Sequence, residues 1–125
     1  MNLKGLIVGA LLAAAPLTVS AHEVGKGPNG GPVADSKGHH VEFVNSPQEI
    51  VLFLTDEGEK PIATKGSTGR AIIQDGGRQA TVPLSPADPN RLVGKLQAPL
   101  SPSAKVVVSA TLPDGHAIQA RFTAE

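Results

Sequence analysis

Four histidines are the residues of this 125-residue chain whose type best suits chemistry: His22, His39, His40 and His116. The chain has no cysteine and its one methionine is Met1, so imidazole is the only strong nitrogen side-chain ligand for a metal. The carboxylates near them in sequence are Glu23, Asp35, Glu42 and Asp114. Cu(II), Zn(II) and Ni(II) accept such nitrogen and oxygen donors, whereas Cu(I) prefers sulfur. The predicted ligand is therefore a divalent transition metal, copper first and zinc or nickel next.

The chain opens with residues 1–21, which are typical of a secretory signal peptide. They contain one cation, Lys4, then an apolar run from Leu6 to Ala15, then small residues before a cleavage site after Ala21. The apolar run is well short of the roughly 20 residues that a membrane-spanning helix needs. We expect an exported protein without a membrane span, and the absence of cysteine favours the periplasm.

Cleavage after Ala21 would make His22 the first residue of the mature chain. Its α-amino group and its imidazole would then offer two nitrogens from one residue, an arrangement that suits Cu(II). His22 is therefore a predicted metal ligand. The alternative is that a histidine simply happens to follow the cleavage site.

The stretch "GHHVEFV" places a second set of candidate ligands on a strand. Because side chains alternate along a strand, His40 and Glu42 share one face, and Val41 and Phe43 share the other. His39 then points away from His40. His40 and Glu42 are predicted to bind the metal together, and the alternative is a solvated polar strand face.

The stretch "LPDGHAIQARF" supplies the third set, because Asp114 and His116 flank Gly115 at a turn. A carboxylate and an imidazole two residues apart are predicted to bind the same metal ion. The alternative is a structural role, since Asp and Gly are common in hairpin turns.

Runs of β-forming residues fill the chain from residue 40 onward. "HVEFV" and "RLVGKLQ" alternate apolar and polar residues, while "EIVLFLT" and "AKVVVSATL" are β-rich apolar runs. The glycines of "DGG" and "PDG" predict hairpins around Gly76 and Gly77 and around Gly115. No window shows helical periodicity. We predict an all-β fold, an antiparallel β-sandwich of immunoglobulin-like type with about seven strands over residues 40–125, with a small open barrel as the alternative.

Residues 22–39 are rich in glycine and proline and are predicted to form an N-terminal arm. The arm is long enough for His22 to reach either pair of candidate ligands. Since the first and last strands of a sandwich often lie close together, we favour His40 and His116 as its partners.

Several function classes are disfavoured by composition. The mature chain has ten basic and eleven acidic residues, no Trp, no Tyr and three Phe, so it lacks both the charge and the stacking surface for nucleic acid. It also has no nucleophile elbow, no P-loop and no HExxH motif. We expect neither a nucleic-acid-binding protein nor an enzyme.

The stretches "GPNGGPVADSKGHHVEFV", "LFLTDEGEKPIAT" and "AKVVVSATLPDGHAIQARF" resemble small exported bacterial proteins related to the N-terminal segment of CusB/CzcB-type heavy-metal efflux adaptors. The chain departs from these at Lys26, where the related proteins have histidine. A weaker resemblance is to CopC-like copper-resistance proteins, with His22 at their first ligand position and Asp114 and His116 at their D-x-H positions. Both resemblances imply metal handling outside the cytoplasm.

These observations lead to two functional hypotheses. The first is a periplasmic protein that binds a divalent metal ion for sequestration or for delivery to an efflux system, with an efflux adaptor as a possible partner. The second is a metal-independent immunoglobulin-like interaction module of the cell envelope or of an efflux complex, because exposed sheet edges recruit strands from partners.

Overall fold

The structure, a computed structural model, describes residues 23–125. These residues form nine β-strands, and no helix among them is long and apolar enough to cross a membrane. The strands are β1 (Glu23–Lys26), β2 (Pro32–Ser36), β3 (His39–Asn45), β4 (Glu49–Thr55), β5 (Thr68–Asp75), β6 (Arg78–Ala87), β7 (Arg91–Lys95), β8 (Lys105–Thr111) and β9 (Ala117–Thr123). The predicted signal peptide, its cleavage site and His22 lie outside the described residues.

All nine strands join one antiparallel sheet in the order β1-β2-β3-β4-β7-β6-β5-β8-β9. The ten-residue strand β6 links the two halves of the sheet, because its first part pairs with β5 and its last residues, Ser85 to Ala87, pair with β7. The sheet curls into a half-barrel in which β2 and β3 contact β9.

The predicted all-β, antiparallel class is confirmed. The two-sheet sandwich and the count of about seven strands are not confirmed, because the described residues form one curled sheet of nine strands. A single curled sheet is nearer to the open-barrel alternative. Two of the additional strands, β1 and β2, come from the segment 22–39 that was predicted to be an arm.

The concave inner face of the sheet holds the hydrophobic core. Strand β4 shows how the sequence builds it, since every second side chain, Ile50, Leu52 and Leu54, is buried. The ring of Phe43 on β3 stacks on that of Phe122 on β9, with ring centroids 5.1 Å apart. Because β3 and β9 are far apart in the sheet order, this contact holds the sheet in its curled form.

The two predicted hairpins are confirmed. Gly76 and Gly77 join β5 to β6 with φ angles of 60° and 87°, and Gly115 lies between β8 and β9 with a φ of 91°. Side chains with a Cβ rarely adopt these positive values, so glycine is required at both reversals. The second hairpin places His116 immediately before β9.

Candidate functional site

Neighbouring residues His39 and His40 lie on opposite faces of β3. His40 shares the outer face with Glu42, whereas His39 has the same alternation as Val41 and Phe43 and lies at the end of the inner face. Across to β2, His39 pairs with Ser36. The imidazoles of His39 and His40 therefore lie in different environments.

On the outer face, Glu42 is buried, with 3% of its surface exposed. Its Oε2 accepts hydrogen bonds from the backbone N–H groups of Asn29 and Gly31, both at 2.9 Å. Its Oε1 accepts a hydrogen bond from Asn29 Nδ2 at 3.0 Å. The carboxylate thus satisfies the donors of the loop that joins β1 to β2, and we name this arrangement the Glu42 clamp.

The clamp depends on two glycines of the loop. A Cβ at Gly27 would overlap the side chain of Glu42, and a Cβ at Gly31 would overlap the carbonyl oxygen of Phe43. The stretch "GPNGG" was the available sequence signal, because a tight glycine-rich loop leaves backbone N–H groups that need an acceptor. The structure therefore gives Glu42 a role in holding the β1–β2 hairpin.

His40 lines a hollow of about 520 Å³ on the outer face, beside the Glu42 clamp. Its Nε2 lies 4.0 Å from Asp35 Oδ2, and both side chains are partly exposed. Phe53 and Glu59 also line this hollow. His40 and Glu42 are thus neighbours on the outer face of β3. His39 lies on the inner face of the same strand.

At the other predicted pair, Asp114 and His116 interact directly. Asp114 Oδ1 accepts a hydrogen bond from the backbone N–H of His116 at 2.9 Å, and Asp114 Oδ2 accepts one from His116 Nδ1 at 2.7 Å. These two hydrogen bonds, first from the backbone and then from the ring, lower the pKa of the Asp114 carboxyl below its ordinary value. Both side chains are exposed.

His39, not His40, is the histidine that meets His116. Their ring centroids are 5.5 Å apart with an interplanar angle of 55°. His39 Nδ1 lies 3.2 Å from the carbonyl oxygen of Ser36, an atom that can only accept. Each ring therefore directs Nδ1–H to an oxygen acceptor, and in the neutral ring Nε2 carries the lone pair. We name this cluster of His39, Asp114 and His116 the histidine pair site.

The approach of β2 to β9 brings the two histidines together. The backbone N–H of Gln119 on β9 donates to Ser36 Oγ on β2 at 3.2 Å, a contact between residues 83 positions apart in sequence. His39 was not among the metal ligands predicted from the sequence. The sequence feature that could have identified it is its spacing, because His39 lies two and four residues before the core residues Val41 and Phe43. This spacing places His39 on the inner face, toward the strands that face β3.

Within residues 23–125, no group of three or more His, Cys, Asp or Glu side chains is arranged to hold a metal ion. The histidine pair site supplies two imidazole nitrogens, with Asp114 orienting one ring. Histidines that bind metals in proteins are usually held in this way, since a hydrogen bond from the second ring nitrogen fixes the tautomer and the orientation. The pair could complete a site with water or with ligands from outside the described residues.

No family model, no curated protein and no solved structure matches this chain. The resemblances to efflux adaptors and to copper-resistance proteins stay predictions.

Proposed function

We propose that the protein binds a divalent transition metal ion, copper first and zinc or nickel next, at the histidine pair site. The Nε2 atoms of His39 and His116 are the proposed protein ligands, and Asp114 orients His116. The observation that carries this proposal is the 5.5 Å separation of two rings whose Nδ1 atoms both face oxygen acceptors.

The separation of the rings suits a shared metal ion. Zinc and similar ions bind imidazole nitrogen at about 2.0–2.1 Å, so two imidazoles on one tetrahedral ion have ring centroids about 5 Å apart. The observed separation of 5.5 Å between the ring centroids is close to that value. Both lie at an end of the half-barrel where His116 is exposed, so an ion can enter from solvent.

A processed His22 is the proposed source of further ligands. It lies outside the described residues, and its place in the site rests on the sequence. The described chain begins with Glu23, which pairs with Ala34, and Ala34 pairs with Val41, two residues from His39. An amine and an imidazole just before Glu23 would favour Cu(II) over Zn(II), because Cu(II) prefers nitrogen-rich tetragonal sites.

The proposed role is sequestration of the ion in the periplasm or its delivery to an efflux system, without catalysis. Export rests on the signal-peptide pattern of residues 1–21, and efflux rests on the resemblance to adaptor proteins. Compared with the sequence-based set of ligands, this proposal replaces His40 and Glu42 by His39 and assigns Asp114 an orienting role.

The test is competition titration of the purified mature protein with Cu(II), Zn(II) and Ni(II) against a chelator of known strength. We expect His39→Ala and His116→Ala each to weaken binding of the preferred ion at least about tenfold. The matched control, His40→Ala, removes an imidazole one residue from His39 and should change affinity less than about twofold. Weak uptake that is equal for all three ions, or that neither substitution changes, would contradict the proposal.

The competing proposal is an immunoglobulin-like interaction module that needs no metal. Among the described strands, β1 pairs only with β2, so its other edge is open to a strand from a partner such as an efflux adaptor. Capture of such a partner that is unaffected by chelator and by the alanine variants of His39, His40 and His116 would favour this module over the metal-binding protein.

A further inference from the structure

The outer face of β5, β8 and β9 carries cations but no carboxylate. Alternation with the buried residues of these strands identifies twelve outward side chains. They are Thr68, Arg70, Ile72, Gln74, Lys105, Val107, Ser109, Thr111, Ala117, Gln119, Arg121 and Thr123. Three are cationic and none is anionic, although the whole chain has equal numbers of basic and acidic residues. This half of the outer surface is therefore locally positive.

Two hollows on this face are each lined by two cations. One, of about 500 Å³, is lined by Lys37 of the β2–β3 turn and by Arg70. The other, of about 760 Å³, is lined by Lys105 and Arg121. No carboxylate lines either hollow. We name these four residues, with the outward side chains between them, the cationic face.

Two other hollows of the described chain contain carboxylates. The hollow beside the Glu42 clamp contains Glu42 and Glu59, and a smaller one near the C-terminus contains Glu125. None of these three carboxylates lines the two hollows of the cationic face. A partner that complements the cationic face must be negatively charged, since unlike potentials favour encounter and suppress wrong partners.

We propose that the cationic face docks an acidic, extended segment of a partner protein. Between the cations lie hydroxyl and amide side chains, such as Ser109, Thr111 and Gln119, which can hydrogen-bond to a peptide backbone. No aromatic side chain lies among the twelve, so the stacking that single-stranded nucleic acids use is missing. Its larger apolar side chains, Ile72 and Val107, are half-buried and the exposed Ala117 is small, which does not suit insertion into a membrane.

The test uses a fluorescein-labelled peptide of alternating glutamate and serine, ten residues long, and fluorescence anisotropy at low ionic strength. The variant Lys37→Gln/Arg70→Gln/Lys105→Gln/Arg121→Gln removes the four cations of the face. The control variant Lys60→Gln/Lys65→Gln/Arg78→Gln/Lys95→Gln removes four exposed cations that line neither hollow. The two variants have equal net charge, so their difference reports position alone.

We expect the first variant to raise the Kd of the peptide at least about fivefold relative to the control variant, and salt to weaken wild-type binding. Circular dichroism melts of both variants check that each is folded. Equal Kd values for the two variants, or no binding by wild type, would overturn the proposal. Wild type could instead bind single-stranded DNA or phosphatidylglycerol vesicles more tightly than it binds the peptide. If only the first variant lost that binding, the assignment to an acidic protein would be overturned. All of these measurements use metal-free protein, so the result does not depend on metal binding at the histidine pair site.

Discussion

The Glu42 clamp and the histidine pair site are built from similar sequence elements but have different roles. Each pairs a carboxylate with a histidine two residues away, as "HVE" and as "DGH". In the clamp the carboxylate is buried and accepts three hydrogen bonds from the loop of residues 27–31. In the histidine pair site the carboxylate is exposed and, among the described residues, accepts from His116 alone.

The difference lies in which groups the fold brings to each carboxylate. Glu42 accepts from two backbone N–H groups and one side-chain amide of the loop between β1 and β2, so its hydrogen bonds stabilise a hairpin. Asp114 meets the ring of its own neighbour, so its hydrogen bonds orient an imidazole that faces a second imidazole across the half-barrel. A carboxylate close to a histidine in sequence can therefore orient that histidine only where the fold does not occupy it with other donors, as it does at Glu42.

The largest expected effect comes from removing the clamp. Glu42→Ala leaves two backbone N–H groups and the Asn29 amide without their buried acceptor, and should lower the free energy of unfolding by about 3 kcal/mol. Urea denaturation measures this change. Glu49→Ala, on the neighbouring strand, should cost less than about 0.5 kcal/mol. If the clamp variant is as stable as wild type, or if it is folded but loses metal, then the two regions do not differ as described.

A smaller effect is expected at the carboxylate of the histidine pair site. Asp114→Ala removes the acceptor that orients His116 and should weaken binding of the preferred metal about tenfold. Asp114→Asn keeps an oxygen that can accept from Nδ1, so it should restore part of that affinity. Competition titration with a chelator measures both values. An equal loss in the two variants would mean that Asp114 acts by charge or as a ligand, and not by orienting the ring.

The contact that closes the half-barrel near the histidine pair site should matter less than the clamp. Ser36→Ala removes the Oγ acceptor of the Gln119 N–H and should lower the free energy of unfolding by about 1 kcal/mol. It keeps the Ser36 carbonyl that faces His39. Thermal or urea unfolding checks the value, with Ser109→Ala, an outward side chain, as the matched control. A loss as large as that of Glu42→Ala would show that both regions are equally needed for folding.

The smallest effect concerns acid stability. The pKa of the Asp114 carboxyl is lowered in the folded protein, so its stabilising contribution is present above the ordinary value of 3.8 and is lost as pH falls through the lowered value. Between about pH 4 and about pH 2, the urea midpoint of Asp114→Asn should therefore fall slightly less steeply than that of wild type. Identical slopes would mean that the hydrogen bonds from His116 do not persist in acid.

Much of the fold followed from local patterns in the sequence. Alternation placed Ile50, Leu52 and Leu54 on one face of a strand, and the glycines at Gly76 and Gly77 marked a hairpin, because strand period and turn conformation depend on residues that are adjacent in the chain. The strands β1 and β2 were missed because their stretch is rich in glycine and proline, and pairing with β3 supplies what local propensity lacks.

The sequence by itself determined which residues have metal-ligand chemistry and on which face of β3 His39, His40 and Glu42 lie, since these depend on side-chain type and on a period of two. It could not determine that His39, and not His40, meets His116, because residues 77 positions apart are brought together only by the curl of the sheet. Nor could it show that Glu42 is occupied by three hydrogen bonds, because those donors come from a loop whose path over β3 depends on close packing at Gly27 and Gly31. Both outcomes rest on contacts between distant segments, which only the tertiary structure decided.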